Sequence, residues 1–197
     1  MIKRVVDKIV HIFISIYYKN ILKKCKKTGK NTYVGFGTKI DCPECIEIGD
    51  NVYINNNVWL SLSRFIYVNG KVIKNITPSL IIKEGTYIGR FSLISCIDEV
   101  FIGKDVMISD RCYVGDIIHN FKNKNLPIIK QDISSGGKII IGDGSWLGVG
   151  STILPNVKIG KHCIIGANSV VTKNVPDYHI VAGNPAIIIK KIEFDEK

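Results

Sequence analysis

From position 141 the chain runs Ile141-Gly142, Leu147-Gly148, Ile153-Leu154, Ile159-Gly160, Ile165-Gly166 and Val171-Thr172. An aliphatic residue recurs every sixth position, commonly with glycine after it. The same step appears upstream, in Ile48-Gly49, Ile54 and Leu60, in Ile82, Ile88-Gly89 and Ile94, and in Ile102-Gly103, Ile108 and Val114-Gly115. Four residues after the aliphatic anchor a small or aliphatic residue often returns: Val52, Val58, Ser92, Val106, Cys112, Ser145, Ser151, Val157, Cys163 and Ser169.

A period of six belongs neither to an α-helix nor to a plain alternating strand. It fits a short strand and a turn, three of which close one triangular coil of about eighteen residues. The anchors then stack inside, coil upon coil. Glycine is expected after the anchor because the backbone turns sharply beside the corner and glycine tolerates positive φ. The reading is an all-β chain, a parallel β-helix over residues 31–186, with an N-terminal helix over 1–30 and a tail over 187–197.

The lattice breaks twice. One break lies between Leu60 and Ile82, where Asn69-Gly70 reads as a turn. The larger follows Val114, and the step resumes only at Ile141. Residues 117–138 are therefore an excursion from the helix, and a loop of that length in a compact domain is usually functional or disordered.

The chain has 197 residues, 46% hydrophobic and 22% charged, which suits one domain with a sizeable core and argues against disorder. Its net charge of +10 favours an anionic partner: a membrane surface, a phosphorylated cofactor or nucleic acid. No basic stretch carries interleaved aromatics, so nucleic acid is not expected. Of the six cysteines, Cys42 and Cys45 form a Cys-x-x-Cys, but no second pair or nearby histidine completes a zinc set. Packed thiols in a reducing cytoplasm are the expectation, with no metal.

Near the N-terminus, Ile2, Val5, Val6, Ile9, Val10, Phe13, Ile16 and Tyr17 recur at roughly helical spacing, flanked by lysines. The run is shorter than the ~20 residues that span a bilayer, and it lacks a small-residue cleavage site. Two readings stand: a helix packed on the domain or on a neighbouring subunit, and a basic amphipathic helix of residues 1–24 lying on an anionic membrane.

Three segments resemble those of the hexapeptide-repeat acyltransferases. Ile141-Gly142-Asp143-Gly144-Ser145-Trp146-Leu147-Gly148 resembles I-G-D-x-x-W-I-G. Ile165 to Lys173 resembles I-G-A-G-S-V-V-T-K, and Ala182-Gly183-Asn184-Pro185-Ala186 resembles A-G-N-P-A. Asp116-Ile117-Ile118-His119 resembles the D-x-N-H of O-antigen-type members, with Ile118 in place of the asparagine. The resemblance covers about residues 31–192. It implies a left-handed β-helix, a homotrimer, and acetyl-CoA lying between adjacent helices. The implied activity is O-acetylation of a sugar, in a surface polysaccharide or its precursor; the expected location is cytoplasmic, and the N-terminal helix would suit a substrate held at the inner membrane face.

On this resemblance His119 is the general base. A neutral imidazole can take a hydroxyl proton at neutral pH, because its unperturbed pKa lies near ~6.5. Asp116 would orient it, or is a turn residue after Gly115. Trp146 would border acceptor and cofactor, and Ser92 would stand where related enzymes bind the acceptor. Gly148 and Ala167 would flank the pantetheine arm. Thr172, Lys173 and Lys190 would meet the phosphates, Lys190 more so because Ile187 replaces a basic residue found in many relatives. His11, His162 and His179 are poorer candidates, placed in a helix, an outward repeat position and a turn. An N-acetyltransferase of a nucleotide-linked amino sugar or an antibiotic is the alternative. A carbonic-anhydrase-type hydratase wants closely spaced histidines that are absent here, and a non-catalytic scaffold would leave His119 and Trp146 unexplained.

Overall fold

The computed structural model describes residues 2–68 and 71–194. The expected Asn69-Gly70 turn lies outside the described residues. Three sheets of six, eight and six strands, parallel except for the last strand of the second, wrap one core as a left-handed β-helix. The chain visits them in rotation: Lys27–Thr28 in the first sheet, Tyr33–Val34 in the second, Lys39–Ile40 in the third, then Ile46–Ile48 back in the first. Inside, the anchors form columns. One runs Val34, Ile54, Ile88, Ile108, Leu147, Ile165 and Val181 through the second sheet. Most of these side chains are fully buried.

The register corrects two expectations. Glycines after the anchors do not have positive φ. That conformation falls two residues later in the same turn, three residues after the anchor: Asn51, Asn57, Gly85, Phe91, Asp105, Gly144, Asn156 and Asn168. The anchor-following glycine answers a different need, close stacking. A Cβ on Gly148 would lie 2.7 Å from the Ala167 amide nitrogen of the next coil.

Coil length is the second correction. Ile141 pairs with Ile159, the expected step of 18, but Ile88 pairs with Ile108 and Thr28 with Ile48, a step of 20. The two extra residues sit at one corner, between the third sheet and the first, where Ile94 leads to Ile102. Both breaks in the lattice leave from this same corner. One is a hairpin of Phe65–Val68 against Lys71–Asn75, and the other holds Ile117–His119 against Ile133–Ser135. A single coil, turning at Cys96–Asp98, separates them.

The ends also differ from the expected boundaries. The helix Ile2–Leu22 stops early, and Lys27–Thr28 already pairs into the first sheet, so the β-helix begins before residue 31. Residues 187–191 are not a free tail. They belong to the strand Ala186–Lys191, which folds back antiparallel on His179–Gly183 and closes the second sheet. The helix lays Ile14, Tyr18, Ile21 and Leu22 on the open end of the core, at the spacing of one helical face. Tyr18 Oη donates to the Thr38 carbonyl at 3.1 Å. Ile12, Phe13, Ile16 and Tyr17 face outward.

Candidate active site

The excursion is ordered from root to tip. Asp116 is its knot. It is fully buried, with its carboxylate oxygens accepting the Ile97 and Asp98 amides at 2.9 Å each. Its own carbonyl accepts the Gly136 amide at 2.7 Å, closing the base of the hairpin. Burial pushes the Asp116 carboxyl above the ordinary carboxylate value, while the two amides pull it back. The orienting contact expected between Asp116 and His119 is not formed, because both carboxylate oxygens turn inward to the preceding coil.

His119 is exposed and pairs in register with Ile133. Directly opposed residues of an antiparallel pair share a face, so the imidazole, Ile133 and Ser135 lie on one side of the hairpin. Asn120 steadies the strand end. Its Nδ2 donates to the Asp132 carboxylate, and its Oδ1 accepts from Ser134 Oγ at 2.9 Å. Ser135 Oγ donates to Asp98 Oδ2 at 3.1 Å, and Lys138 pairs with Glu99 at 2.9 Å. At the tip, Gln131 Nε2 donates to the carbonyls of Asn123 and Leu126. Phe121, Leu126, Ile128 and Ile129 stand exposed there.

Between the two hairpins lies a cavity of about 630 Å³. Its walls include Ile73, Lys74 and Thr77 on one side, and Asp132, Ile133 and Ser135 on the other, with Ile97 and Asp98 between them. Sequence reasoning missed this cavity. The signal was the step of eight from Ile94 to Ile102, which marks the corner that both insertions share.

A second cleft, about 310 Å³, lies further along the same edge. Thr172 and Lys173 line it together with Pro185, Ala186, Ile187 and Ile188. Neighbouring strands of a ladder lie ~4.8 Å apart, and Val171 is two strands beyond Val114 in the third sheet, hence about 10 Å from the root of the excursion. Lys190 does not join this cleft. It pairs with Ile180, further along the closing strand.

Three other expected residues have different surroundings. Ser92 is 1% exposed. Its Oγ donates to the Ser109 carbonyl at 3.1 Å and accepts the Cys112 amide at 3.2 Å, so it is wall-building and offers nothing to an acceptor. Gly148 is buried against Ala167, while Ala167 itself is exposed. Trp146 is 44% exposed on the second sheet, its Nε1 donating to Ser109 Oγ at 2.9 Å. The second sheet is the face opposite the corner that bears His119. Trp146 and His119 of one chain therefore cannot meet at one site.

Two other histidines make local contacts away from the excursion, and the side chain of His11 lies outside the described residues. His162 stacks on Tyr178, and His179 Nδ1 contacts the Asp177 carbonyl. All six cysteines are free. Cys96, Cys112 and Cys163 are buried, and burial pushes their thiols up.

Fold and repeat define the class, a β-helix of hexapeptide units. Residues 138–173 match the family model for the bacterial transferase hexapeptide (six repeats). A probable acetyltransferase of Mycobacterium tuberculosis is 32% identical over 132 residues, which is 66% of this chain and 44% of that protein. The putative lipopolysaccharide biosynthesis O-acetyl transferase WbbJ of Escherichia coli is 33% identical over 121 residues, 58% of this chain and 61% of that one. The match thus spans less than two thirds of either relative. Among solved structures, the N-acyltransferase AntD of Bacillus cereus, in complex with dTDP and 3-hydroxybutyryl-CoA, is 26% identical with a TM-score of 0.72, covering 91% of this chain and 88% of that one. Residues 138–173 thus carry the repeat of the bacterial hexapeptide transferases, and the fold is the left-handed β-helix of such proteins.

Proposed function

We propose that this chain is an acetyl-CoA-dependent O-acetyltransferase that acts on a sugar hydroxyl, in a surface polysaccharide or its precursor, with His119 as general base. The observation that carries the reading is a single edge of the β-helix. It presents the exposed His119 on a braced strand and, about two coils away, a cleft holding Thr172 and Lys173. A cationic, hydroxyl-bearing end and an apolar wall of Ile187 and Ile188 suit the phosphates and the pantetheine arm of coenzyme A. The thioester supplies an activated acetyl group. His119 takes the acceptor's hydroxyl proton as the C–O bond forms, and returns it to the sulfur as the C–S bond breaks. Asp116 positions this residue indirectly, by fixing the root of its hairpin.

The placement of Trp146 opposite the His119 edge supports a homotrimer, in which Trp146 of one copy would approach the His119 edge of the next. The apolar tip of the excursion gives such a neighbour something to cover. The outward face of Phe13, Ile16 and Tyr17 and the adjoining lysines support peripheral contact with an anionic membrane, on the inner, cytoplasmic side. Among the described residues, no helix is long and apolar enough to cross a membrane.

The likeness to AntD favours one second reading, N-acylation of a nucleotide-linked amino sugar. One experiment separates them. Radiolabelled acetyl-CoA is supplied with neutral glycosides, amino sugars and their nucleotide-linked forms, and the product is treated with hydroxylamine. An O-acetyl ester releases its label, while an amide keeps it. Label stable to hydroxylamine in every product would overturn the O-acetyl reading.

A further inference from the structure

We infer that the cavity between the two hairpins is the acceptor pocket, and that it selects an uncharged pyranoside over an anionic sugar. The inference rests on the acyl-transfer reading for its purpose, but it stands on the cavity for its substance.

The walls belong to the same corner of the β-helix, two coils apart, with the turn at Cys96–Asp98 between them. In the hairpin of Phe65–Val68 against Lys71–Asn75, Ile66 is 4% exposed and lines the cavity together with Ile73 and Lys74. A volume of about 630 Å³ falls within the roughly 300–1,000 Å³ of small-molecule sites. The lining mixes two chemistries. Ile73, Ile76, Ile97 and Ile133 offer aliphatic surface to the C–H faces of a ring. Asp98 and Asp132 offer carboxylate oxygens to its hydroxyl donors.

Both carboxylates are already oriented, Asp98 by Ser135 Oγ and Asp132 by Asn120 Nδ2. A carboxylate has about four lone-pair sites, so each keeps capacity for a ligand hydroxyl. Against these two negative charges the lining sets one positive charge, Lys74. The chain's net +10 would by itself draw anions, and this pocket reverses that preference locally. A carboxylated or phosphorylated ring would bring a third negative group into a half-enclosed space with one counter-charge. Ile133, on the wall, is the in-register partner of His119, so the pocket borders the strand pair that carries the imidazole, while His119 itself does not line it.

Saturation-transfer NMR on the full-length protein tests this without turnover. The probes are methyl α-glucopyranoside, methyl α-galactopyranoside and their 6-carboxylate counterparts. Both neutral glycosides should receive saturation, and the carboxylates about tenfold less. Ile73→Trp, a change at an exposed position, should abolish the neutral signal by filling the pocket. Asp98→Asn should bring the carboxylates and the neutral probes closer together. Equal signals from neutral and anionic probes in the wild type, or a neutral signal that survives Ile73→Trp, would overturn the inference. Loss of acetyl transfer to every acceptor, with glycoside binding intact, would instead remove the acyl-transfer reading and leave the pocket assigned.

Discussion

Asp116 holds the backbone of Asp98. Its Oδ2 accepts the Asp98 amide at 2.9 Å, and the neighbouring Ile97 amide meets Oδ1 at the same distance. The root of the hairpin that carries His119 and the coil before it are thereby one unit. Asp116→Asn keeps the shape but turns a donor toward one of the two amides. It should cost about 1–3 kcal/mol of stability, the size of one unsatisfied buried group, and lower kcat by loosening the strand that carries His119. A melt and a turnover assay check both. The pH profile adds a second mark. Burial raises the Asp116 carboxyl above 3.8, so over the window above that value the folded protein keeps a proton that the unfolded chain has released. The Asp116 contribution to stability therefore falls as pH rises through the window and levels beyond it. Asp116→Asn should lack this slope in melts across the acid range.

His119→Ala should lower acetyl transfer by roughly 10²–10⁴ while leaving acetyl-CoA affinity unchanged. Steady-state kinetics with calorimetric titration of acetyl-CoA separates the two. Normal turnover in the variant would end the general-base assignment.

Lys173 lines the cleft with Ile187 and Ile188, and Lys190 does not. Lys173→Ala should raise the KM for acetyl-CoA several-fold with kcat nearly unchanged, and the wild-type advantage should shrink with salt. Lys190→Ala should have a smaller effect. A larger rise in KM for Lys190→Ala would move the phosphates to the closing strand.

His119 and Trp146 of one chain face opposite ways, so a shared site needs two copies. Mixing dissociated His119→Ala and Trp146→Ala proteins and allowing them to reassemble should restore roughly a quarter of wild-type activity, since half of the subunits supply each intact group. Recovery no better than the sum of the two variants would rule out the shared site. Light scattering should give three times the chain mass.

Removing the N-terminal helix is a poor test of membrane contact, because Tyr18 and Leu22 belong to the core. Replacing Phe13, Ile16 and Tyr17 together by serine spares that contact. It should weaken co-sedimentation with phosphatidylserine-containing vesicles and leave the melting temperature near that of the wild type. Unchanged sedimentation would dismiss the membrane reading.

The lattice was legible because buried aliphatic residues cannot change without opening the core, so Ile141, Leu147 and Ile153 announce their own spacing. The excursion was legible as a gap in that spacing, and His119 through its place in the gap. What escaped was set by contacts between distant coils. Nothing local marks residues 65–75 as one wall of a pocket whose other wall is some sixty residues on. Ser92 was readable as inward from its own slot in the repeat, four after Ile88, yet the resemblance pulled it toward the acceptor. The inward turn of Asp116 depends on two amides in the coil before it, which no spacing announces.

A stack of parallel coils is in principle a one-dimensional crystal, free to grow from either end by adding strands of another molecule. This chain terminates both faces of growth. Helix residues Tyr18 and Leu22 plug one end, and Ala186–Lys191 runs against the lattice direction along the last strand of the second sheet at the other. An antiparallel final rung offers an incoming parallel coil the wrong pattern of donors and acceptors. The price of losing it would be paid in solubility: a chain cut before Ala186 should form fibres whose cross-β spacing is the coil repeat itself.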